Sequence, residues 1–266
     1  MPKHPILLIL TVGATLSSAS GEWASLFNGR DLTGWHQANG AADYAVADGA
    51  IVGTPVSDSP NSFLVTDDVF GDFIFECEVK VDGIINSGIQ FRSLSTADFK
   101  DGRVHGYQCE IDEKTDRNWT GGIYDEARRG WLYRLELNPS AKSAYRPGDW
   151  NHLRIECVGS SLRTWVNGIA TAHLIDDATA RGVIGLQVHS IGSRSPEGKR
   201  IHWRNLRIRT DVAGPTPPEG VFVRNTVPIS WHPRSRPSGG VCFSTDPPRQ
   251  GGVVPPPRPS LTGVGG

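Results

Sequence analysis

The chain has 266 residues and a formal net charge of −1, with 27 basic and 28 acidic side chains mixed along its length. Because no basic stripe is present, the sequence lacks the electrostatic footprint of a nucleic-acid-binding protein, and no nucleic-acid partner is expected. The four cysteines contain no CxxC pair, which excludes a zinc-ribbon or thioredoxin-like signature.

Residues 1–20 are predicted to form a secretory signal. They begin with the basic Lys3 and His4, continue with an apolar run over residues 6–12 and end in small residues at 18–20. The apolar run is too short to cross a bilayer, and no other segment reaches membrane length, so no membrane span is expected. We expect the mature protein to be secreted or periplasmic.

Residues 21–210 are predicted to fold as one all-β domain. Helical periodicity is almost absent, and short β-rich runs are separated by Gly, Asp, Asn and Pro. This pattern is typical of a sandwich or barrel of antiparallel sheets. The clearest unit is a three-stranded meander between Trp150 and Ala172, with a tight turn at Asn167-Gly168. The size and the polar lining of one sheet favour a jelly-roll sandwich.

Three cysteines are predicted to be small buried core residues. Cys77, Cys109 and Cys157 each share a strand face with apolar neighbours. An exported protein also permits a disulfide between two of them. The sequence does not decide which two, if any, are paired.

The runs IQFR and YQCEID carry polar side chains on one face of each strand. In the first run Gln90 and Arg92 point away from the apolar residues, and in the second Gln108, Glu110 and Asp112 do so. A face that carries amides, a guanidinium and carboxylates differs from an ordinary solvated face of Thr, Ser and Lys. It predicts a polar ligand-binding surface.

Segments further along the chain add candidates for the same surface. His189 in LQVHS alternates with apolar residues, and an imidazole, with an ordinary pKa of about 6.5, is suited to proton transfer at neutral pH. In GGIYDEARRGWLY, Tyr124 is a candidate donor, Arg129 a candidate substrate ligand and Trp131 a candidate stacking platform. The alternative for the charged residues of this segment is a salt-bridged loop.

Residues 211–266 are predicted to form a flexible tail. Pro, Gly, Arg and Ser dominate this segment from residue 215 onward, and a periodic apolar pattern is nearly absent. Such a composition cannot bury enough apolar area to offset its chain entropy. A surface protein whose function lies in this tail is one alternative for the whole chain.

Seven motifs, taken in chain order, resemble the 3-keto-disaccharide hydrolase family, long catalogued as a domain of unknown function. The resemblance covers residues 22–210. The motifs are WASLFNGRDLTGWHQ, NSGIQFRS, HGYQCEID, GGIYDEARRGWLY, DWNHLRIECVGSSLRTWVNG, GVIGLQVHS and IHWRNLRIR.

The resemblance implies a concanavalin A-like jelly roll, export, and hydrolysis of glycosides already oxidised at C3 of the sugar. The implied partners are an oxidised carbohydrate substrate and an upstream sugar 3-oxidoreductase, and no cofactor is expected. Two positions differ, because a common form of the family motif has Glu where this chain has Gln108, and Gln where it has Glu110. Glu110 would then have to supply the carboxylate.

A 3-keto sugar permits an elimination route, because the carbonyl at C3 acidifies the proton on C2. The route needs a base near C2, a donor for the enolate oxygen and an acid for the leaving oxygen. Glu110 and His189 are both candidates for the base, and the sequence does not choose between them. The other predicted catalytic residues are Arg92 and Tyr124. The predicted substrate-binding residues are Gln90, Gln108, Asp112, Arg129 and Trp131.

Two further hypotheses compete with this one. A non-catalytic carbohydrate-binding module with the same jelly roll would hold a glycan on the polar face without cleaving it. Glu110, Asp112 and His189 could also form a small metal site, although the sequence has neither HExxH nor EF-hand spacing. A pure binder would favour exposed aromatic residues and neutral amides, so the charged candidates favour an enzyme.

Overall fold

The computed structural model describes residues 21–112 and 116–212, together with the backbone of residues 223–224. The predicted signal at 1–20 lies outside the described residues. So does the predicted tail, apart from its first two residues and the pair at 223–224.

The described part of the chain contains sixteen strands and three short 3-10 helices. The helices are Lys100–Gly102, Leu135–Leu137 and Pro139–Ser143. The strands are β1 (Ala24–Ser25), β2 (Trp35–Ala38), β3 (Asp43–Ala47), β4 (Ala50–Thr54), β5 (Ser62–Thr66), β6 (Phe73–Asp82), β7 (Ser87–Leu94), β8 (His105–Ile111), β9 (Ile123–Glu126), β10 (Gly130–Tyr133), β11 (Asn151–Val158), β12 (Ser161–Val166), β13 (Ile169–Ile175), β14 (Val183–Val188), β15 (Arg200–Arg209) and β16 (Val223–Arg224).

The strands form two sheets, which we call sheet A and sheet B. Sheet A has the order β16-β13-β12-β11-β6-β15-β4-β3, with β1 also paired to β15, and sheet B has the order β10-β9-β8-β7-β14-β5-β2. All described pairs are antiparallel except β13 with β16. The predicted all-β sandwich is confirmed, and it is a concanavalin A-like jelly roll. The short strand β16 was not predicted, because its segment was assigned to the tail.

The hydrophobic core lies between the two sheets. Alternate residues of β6 and β11, such as Phe75 and Ile155, are fully buried there and face Ile89 and Leu186 of sheet B. Burying one such large apolar side chain contributes about 1.5–3 kcal/mol. The cysteines of this region are buried free thiols, as the alternation predicted; they are Cys77, Cys109 and Cys157.

The predicted meander is formed by β11, β12 and β13. The residues Asn167 and Gly168 at its second turn have φ values of 49° and 80°, as a two-residue hairpin turn of this type requires. One face of the meander packs in the core, while the other carries Arg154 and Glu156 on the outer face of sheet A. That outer face is therefore polar without belonging to the surface formed by IQFR and YQCEID.

Sheet B also has an open face, opposite the core. A small apolar cluster of Phe63, Val65 and Val104 covers one end of this face. The remainder carries the polar side chains of β7, β8, β9 and β14, because every second residue of a strand points to the same side. The fold thus brings the polar side chains of several separate segments together on one surface.

Candidate active site

A groove lies over the open face of sheet B. Its cavity volume is about 520 Å³, which is typical of small-molecule sites. The floor comes from β8, β9 and β14, and the walls come from the segments before β7, before β8 and after β14. The lining includes five of the predicted site residues, namely Gln108, Glu110, Tyr124, Trp131 and His189.

One row of side chains crosses the floor because the strands are in register. Gln90 of β7 pairs with Gln108 of β8, Gln108 pairs with Tyr124 of β9, and Tyr124 pairs with Trp131 of β10. Opposite residues on neighbouring antiparallel strands have Cβ atoms about 4.5–5.5 Å apart. Segments that are separate in sequence are therefore brought into contact by strand pairing alone.

Glu110 is the central carboxyl group of the groove. It is only 4% exposed, and its two oxygens accept hydrogen bonds from Asn86 Nδ2 at 2.6 Å and from Gln108 Nε2 at 2.9 Å. Burial raises the pKa of Glu110 to about 7, against the lowering effect of these two hydrogen bonds. A carboxyl group that titrates near neutral pH is suited to take up and release a proton there.

Asp112 holds Arg117 beside this carboxyl group. The guanidinium donates to both oxygens of Asp112, from Nε at 2.7 Å and from a terminal nitrogen at 2.9 Å. A terminal nitrogen of Arg117 lies 3.9 Å from Oε1 of Glu110, and the guanidinium packs over the rings of Trp119 and Trp131. A fixed positive charge therefore stands next to the buried carboxyl group.

A second carboxylate, Glu126, lines the same groove. Arg103 donates to its Oε1 at 2.6 Å, and Gln187 Nε2 lies 3.5 Å from its Oε2. Gln187 is fully buried, and its Oε1 has no hydrogen-bond partner among the described residues. This part of the groove combines an acceptor, a cation and an amide, which suits the hydroxyl groups of a sugar.

Tyr124 lies between these two carboxyl groups. Burial raises the pKa of Tyr124, and the neighbouring Glu126 and Glu110 raise it further. The phenol therefore stays protonated at neutral pH and can act as a donor. Its ring packs edge-on against Trp131, with the ring centroids 5.2 Å apart.

His189 follows β14 and reaches the cavity from the opposite wall. Its Nδ1 lies 2.8 Å from the carbonyl oxygen of Ser190, which can only accept a hydrogen bond. In the neutral imidazole, the proton is therefore on Nδ1 and the lone pair is on Nε2. Geometry alone thus keeps His189 available as a base.

Gly88 leaves room for the amide of Gln108. It pairs with Glu110 across the β7–β8 ladder, and a Cβ atom at this position would lie 2.4 Å from Cδ of Gln108. Because such a contact is impossible, the side chain of Gln108 needs glycine here to donate to Glu110.

The prediction that Arg92 belongs to the catalytic surface is not supported by the structure. The β7–β8 register shifts between Phe91 and Leu94, and Arg92 has a φ of 45°, so the alternation stops before it. Its guanidinium donates to the carbonyl oxygens of Gly71 and Gly159 and to Asp72, away from the groove. Arg92 therefore ties together segments of the sandwich and does not line the cavity.

The prediction that Arg129 binds substrate is likewise not supported. Arg129 makes a short ion pair with Asp125 and two hydrogen bonds with Asp176, at 2.9 and 3.1 Å, and does not line the groove. Arg128 also pairs with Asp125, at 2.7 Å. The alternative of a salt-bridged loop describes these residues correctly.

Gln90 and Asp112 share the predicted face but are not part of the groove lining. Gln90 is fully buried beneath Gln108, to which it donates a hydrogen bond, and Asp112 is 1% exposed behind Arg117. Both therefore support residues that reach the cavity.

Sequence reasoning missed several residues that line the groove. Arg103 and Arg117 lie in loops, where side-chain direction cannot be inferred from alternation. Asn86 directly precedes β7, and Glu126 belongs to the charged segment for which a salt-bridged loop is the alternative interpretation. A partial signal existed for Gln187, which shares its strand face with His189.

Two other properties follow from the described residues. Within residues 21–112 and 116–212, no group of three His, Cys, Asp or Glu side chains is arranged to hold a metal ion. No described helix has the length and apolar character needed to cross a membrane.

Comparison with solved structures gives the same architecture. A provisionally assigned glycosyl hydrolase from Parabacteroides distasonis is 20% identical with a TM-score of 0.52, and the match covers 72% of this chain and 94% of that one. The carbohydrate-binding module CBM66 from Bacillus subtilis is 18% identical with a TM-score of 0.45, covering 68% and 98%. At 20% identity, the likeness to the first of these structures concerns the fold alone. No curated protein gave a significant match.

One family model matches nearly all of the described part of the chain. The model described as the 3-keto-α-glucoside-1,2-lyase-like domain matches residues 22–209. This is the family that the seven motifs predicted, and a carbohydrate-related function follows from the match. The chain belongs to the 3-keto-α-glucoside-1,2-lyase-like family of jelly-roll domains.

Proposed function

We propose that this protein is an exported enzyme that cleaves 3-keto-glycosides by elimination, with subsequent water addition completing hydrolysis. The observation that carries the proposal is the buried carboxyl group of Glu110, which lies on the groove floor with a pKa raised to about 7. Such a group is a base matched to neutral pH. The family description, which names a lyase acting on a 3-keto-α-glucoside, supports the same chemistry.

The proposed reaction breaks the C2–H bond first. The proton passes to the carboxylate of Glu110, and the electron pair moves toward C3, which becomes an enolate. The enolate then forms the C1=C2 double bond as the C1–O bond breaks, and the leaving oxygen takes a proton. Addition of water across the resulting enone gives the free 3-keto sugar, so the net change is hydrolysis.

Arg117 and Tyr124 supply the other two roles in this proposal. Arg117 lies 3.9 Å from Glu110 and is held by Asp112, and this fixed cation supports its proposed role of stabilising the charge on the enolate oxygen. Tyr124 is a diagonal neighbour of Glu110 across the β8–β9 pair, and its raised pKa keeps the proton that the leaving oxygen needs. Trp131 offers its ring to the apolar side of a sugar.

His189 is the competing candidate for the base, because the lone pair of its Nε2 is available in the neutral imidazole. The two assignments are separated by Glu110→Gln and His189→Gln, each compared with the wild type. We expect Glu110→Gln to abolish exchange of the C2 proton, while His189→Gln retains it. The opposite result would transfer the role of base to His189.

The decisive experiment compares a glucoside with its 3-keto counterpart. We expect the purified protein to release the aglycone only from the oxidised substrate. Cleavage of either one or both anomers of that substrate fits the proposal. In D₂O, we expect deuterium to be incorporated at C2 of the product. Incorporation should be faster with the wild type than in a control in which the 3-keto product is incubated with the Glu110→Gln variant. Absence of enzyme-dependent deuterium would rule out the elimination route. Binding of both glycosides with cleavage of neither would favour a carbohydrate-binding module.

Two further parts of the proposal concern the setting of the reaction. A 3-keto-glycoside has to be made by oxidation of the C3 hydroxyl group, so an upstream sugar 3-oxidoreductase is the implied functional partner. Export through the predicted signal at residues 1–20 is tested by N-terminal sequencing of the protein from the extracellular or periplasmic fraction. Retention of the full N-terminus in the cytoplasm would contradict export.

A further inference from the structure

A chain of three hydrogen bonds begins at Ser93, beneath the groove floor, and ends at Glu110 on the floor. The hydroxyl of Ser93 donates to Oε1 of Gln90 at 2.7 Å, Nε2 of Gln90 donates to Oε1 of Gln108, and Nε2 of Gln108 donates to Oε2 of Glu110 at 2.9 Å. All four side chains are at most 4% exposed. Ser93 and Gln90 are fully buried and do not line the groove, so water cannot replace either of them without rearrangement.

The ionised carboxylate of Glu110 determines which group donates in each of these hydrogen bonds. An ionised carboxylate can only accept hydrogen bonds, so Gln108 must present its NH₂ group to Glu110 and its carbonyl oxygen to Gln90. Gln90 must then donate as well, which leaves its own carbonyl oxygen facing Ser93. The hydroxyl of Ser93 is therefore the donor that completes the ionised arrangement.

The geometry also permits the reverse arrangement, in which the donors and acceptors of the hydrogen-bond chain are exchanged. Oγ of Ser93 lies 3.1 Å from the carbonyl oxygen of Tyr107, so its proton can turn to that acceptor. Gln90 would then rotate its NH₂ group toward Ser93, and Gln108 would present a carbonyl oxygen to Glu110. That arrangement opposes a negative charge on Glu110, because two acceptors would face each other.

We propose that Ser93 and Gln90 are positioning residues, which hold the amide of Gln108 so that it donates to Glu110 and keeps this carboxylate ready to act as a base. Neither residue lines the groove, so they act only through Gln108. The inference rests on the proposed function for the role of Glu110, but the hydrogen-bond chain can be tested independently of turnover.

Other groups that face Glu110 come from separate elements and would be unchanged by a substitution at Ser93. They are Asn86 before β7, Asp112 and Arg117 after β8, and Tyr124 on β9. A change in the titration of Glu110 on removing the hydroxyl of Ser93 would therefore report the amide chain.

The experiment compares Ser93→Ala with Ser87→Ala. Ser87 lies on the same strand and is equally buried, and its hydroxyl donates to the main-chain carbonyl oxygen of Gln187 at 2.7 Å. Both variants lose one buried hydroxyl, so general effects on stability are matched. The first measurement is the pH dependence of kcat/KM on a 3-keto-glycoside, between pH 5 and pH 10.

We expect the acidic limb of the Ser93→Ala profile to move to higher pH by about one unit. The rate should fall roughly tenfold below the midpoint and recover at high pH, while Ser87→Ala keeps the wild-type midpoint. Gln90→Leu should move the limb in the same direction. A loss of rate that is equal at every pH, or a shift shared by Ser87→Ala, would overturn the proposal.

A second measurement does not depend on turnover. The ¹³C carboxyl resonance of Glu110, assigned by its absence in Glu110→Gln, is titrated in the wild type and in both serine variants. We expect its midpoint to move to higher pH in Ser93→Ala only. If the wild type cleaves no keto-glycoside but this shift occurs, the proposed function fails and the positioning chain stands. If the midpoint does not move, the positioning chain fails.

Discussion

Two buried carboxyl groups, Glu110 on the open face of sheet B and Glu76 on the outer face of sheet A, show how differently the two polar faces are built. Both side chains are nearly inaccessible, at 4% and 7% exposure. Glu110 receives hydrogen bonds from two neutral amides, whereas Glu76 receives them from the guanidinium groups of Arg154 and Arg207.

The difference in hydrogen-bond partners gives the two carboxyl groups pKa shifts of opposite direction. Burial alone would raise the pKa of both groups, but at Glu76 the hydrogen bonds from Arg207 and Arg154 outweigh it and the pKa lies below its usual value. At Glu110, burial dominates and the pKa rises to about 7. Alternation places a carboxyl group on a polar face, but its chemistry depends on whether its partners are charged.

The largest expected effect comes from replacing each carboxyl group by its amide. Glu110→Gln removes the proposed base, and we expect kcat on a 3-keto-glycoside to fall by about 10²–10⁴-fold. Glu76→Gln weakens an ion-pair cluster outside the groove, so we expect kcat within a factor of two of wild type. Its unfolding free energy should fall by about 1–2 kcal/mol. Steady-state kinetics and urea denaturation measure both, and equal losses of kcat would refute the assignment.

The next effect is a pH dependence of stability that belongs to Glu110. Its pKa is about 7 in the folded state and lies near 4.3 in the unfolded chain. Between these values the folded state binds more protons, so its stability falls as pH rises from about 4.5 to 7. This contribution is on the order of 3 kcal/mol.

We therefore expect the difference in unfolding free energy between Glu110→Gln and wild type to change with pH. Relative to wild type, the variant should be about 2–3 kcal/mol more stable at pH 8 than it is at pH 5. Urea denaturation at the two pH values measures the difference, and all other titrating groups are common to both proteins. A constant difference between the two proteins across this pH range would show that Glu110 titrates normally.

The comparison of the two faces also shows what the sequence could predict. Alternation in YQCEID and LQVHS correctly placed Gln108, Glu110 and His189 on the side away from the core, because strand geometry imposes a period of two. The same period of two puts Arg154 and Glu156 on the outer face of sheet A. Alternation cannot distinguish these faces, because it carries no information about which sheet a strand joins.

The failures have specific physical causes. Alternation stops at Arg92, where the register shift and positive φ turn the side chain away from the groove. Arg129 does not line the groove, because it pairs with Asp125 and with Asp176, the second of which is 47 residues away in sequence. Arg103 and Arg117 reach the groove from loops, whose side-chain directions depend on tertiary contacts. Long-range pairing of charges is therefore what the sequence pattern lacked.

A smaller effect is expected at Gly88, which gives Gln108 its place beside Glu110. In Gly88→Ala, the added Cβ would lie 2.4 Å from Cδ of Gln108, so the amide must shift from its place beside Glu110. We expect kcat/KM to fall by about 10–50-fold, with a loss of unfolding free energy of about 1–3 kcal/mol from the overpacking. Kinetics and urea denaturation measure the two quantities.

Gly71→Ala is the control for this substitution. A Cβ atom there would meet only the carbonyl oxygen of Ala180, at 3.9 Å, and Gly71 lies outside the groove. We expect unchanged kinetics and little change in stability. A Gly88→Ala protein with wild-type kcat/KM would show that the position of the Gln108 amide is unimportant for turnover.

The smallest effect distinguishes the aromatic residues of the two faces. Trp131 lines the groove, while Trp165 lies on the outer face of sheet A beneath the guanidinium of Arg154, 5.5 Å from its ring centroid. If Trp131 stacks on the sugar, Trp131→Ala should raise KM by about tenfold with kcat changed less than about threefold, since one aromatic contact contributes about 0.5–1.5 kcal/mol. Trp165→Ala should leave both constants unchanged. Equal increases of KM in both variants would mean that the open face of sheet B does not bind the sugar through Trp131.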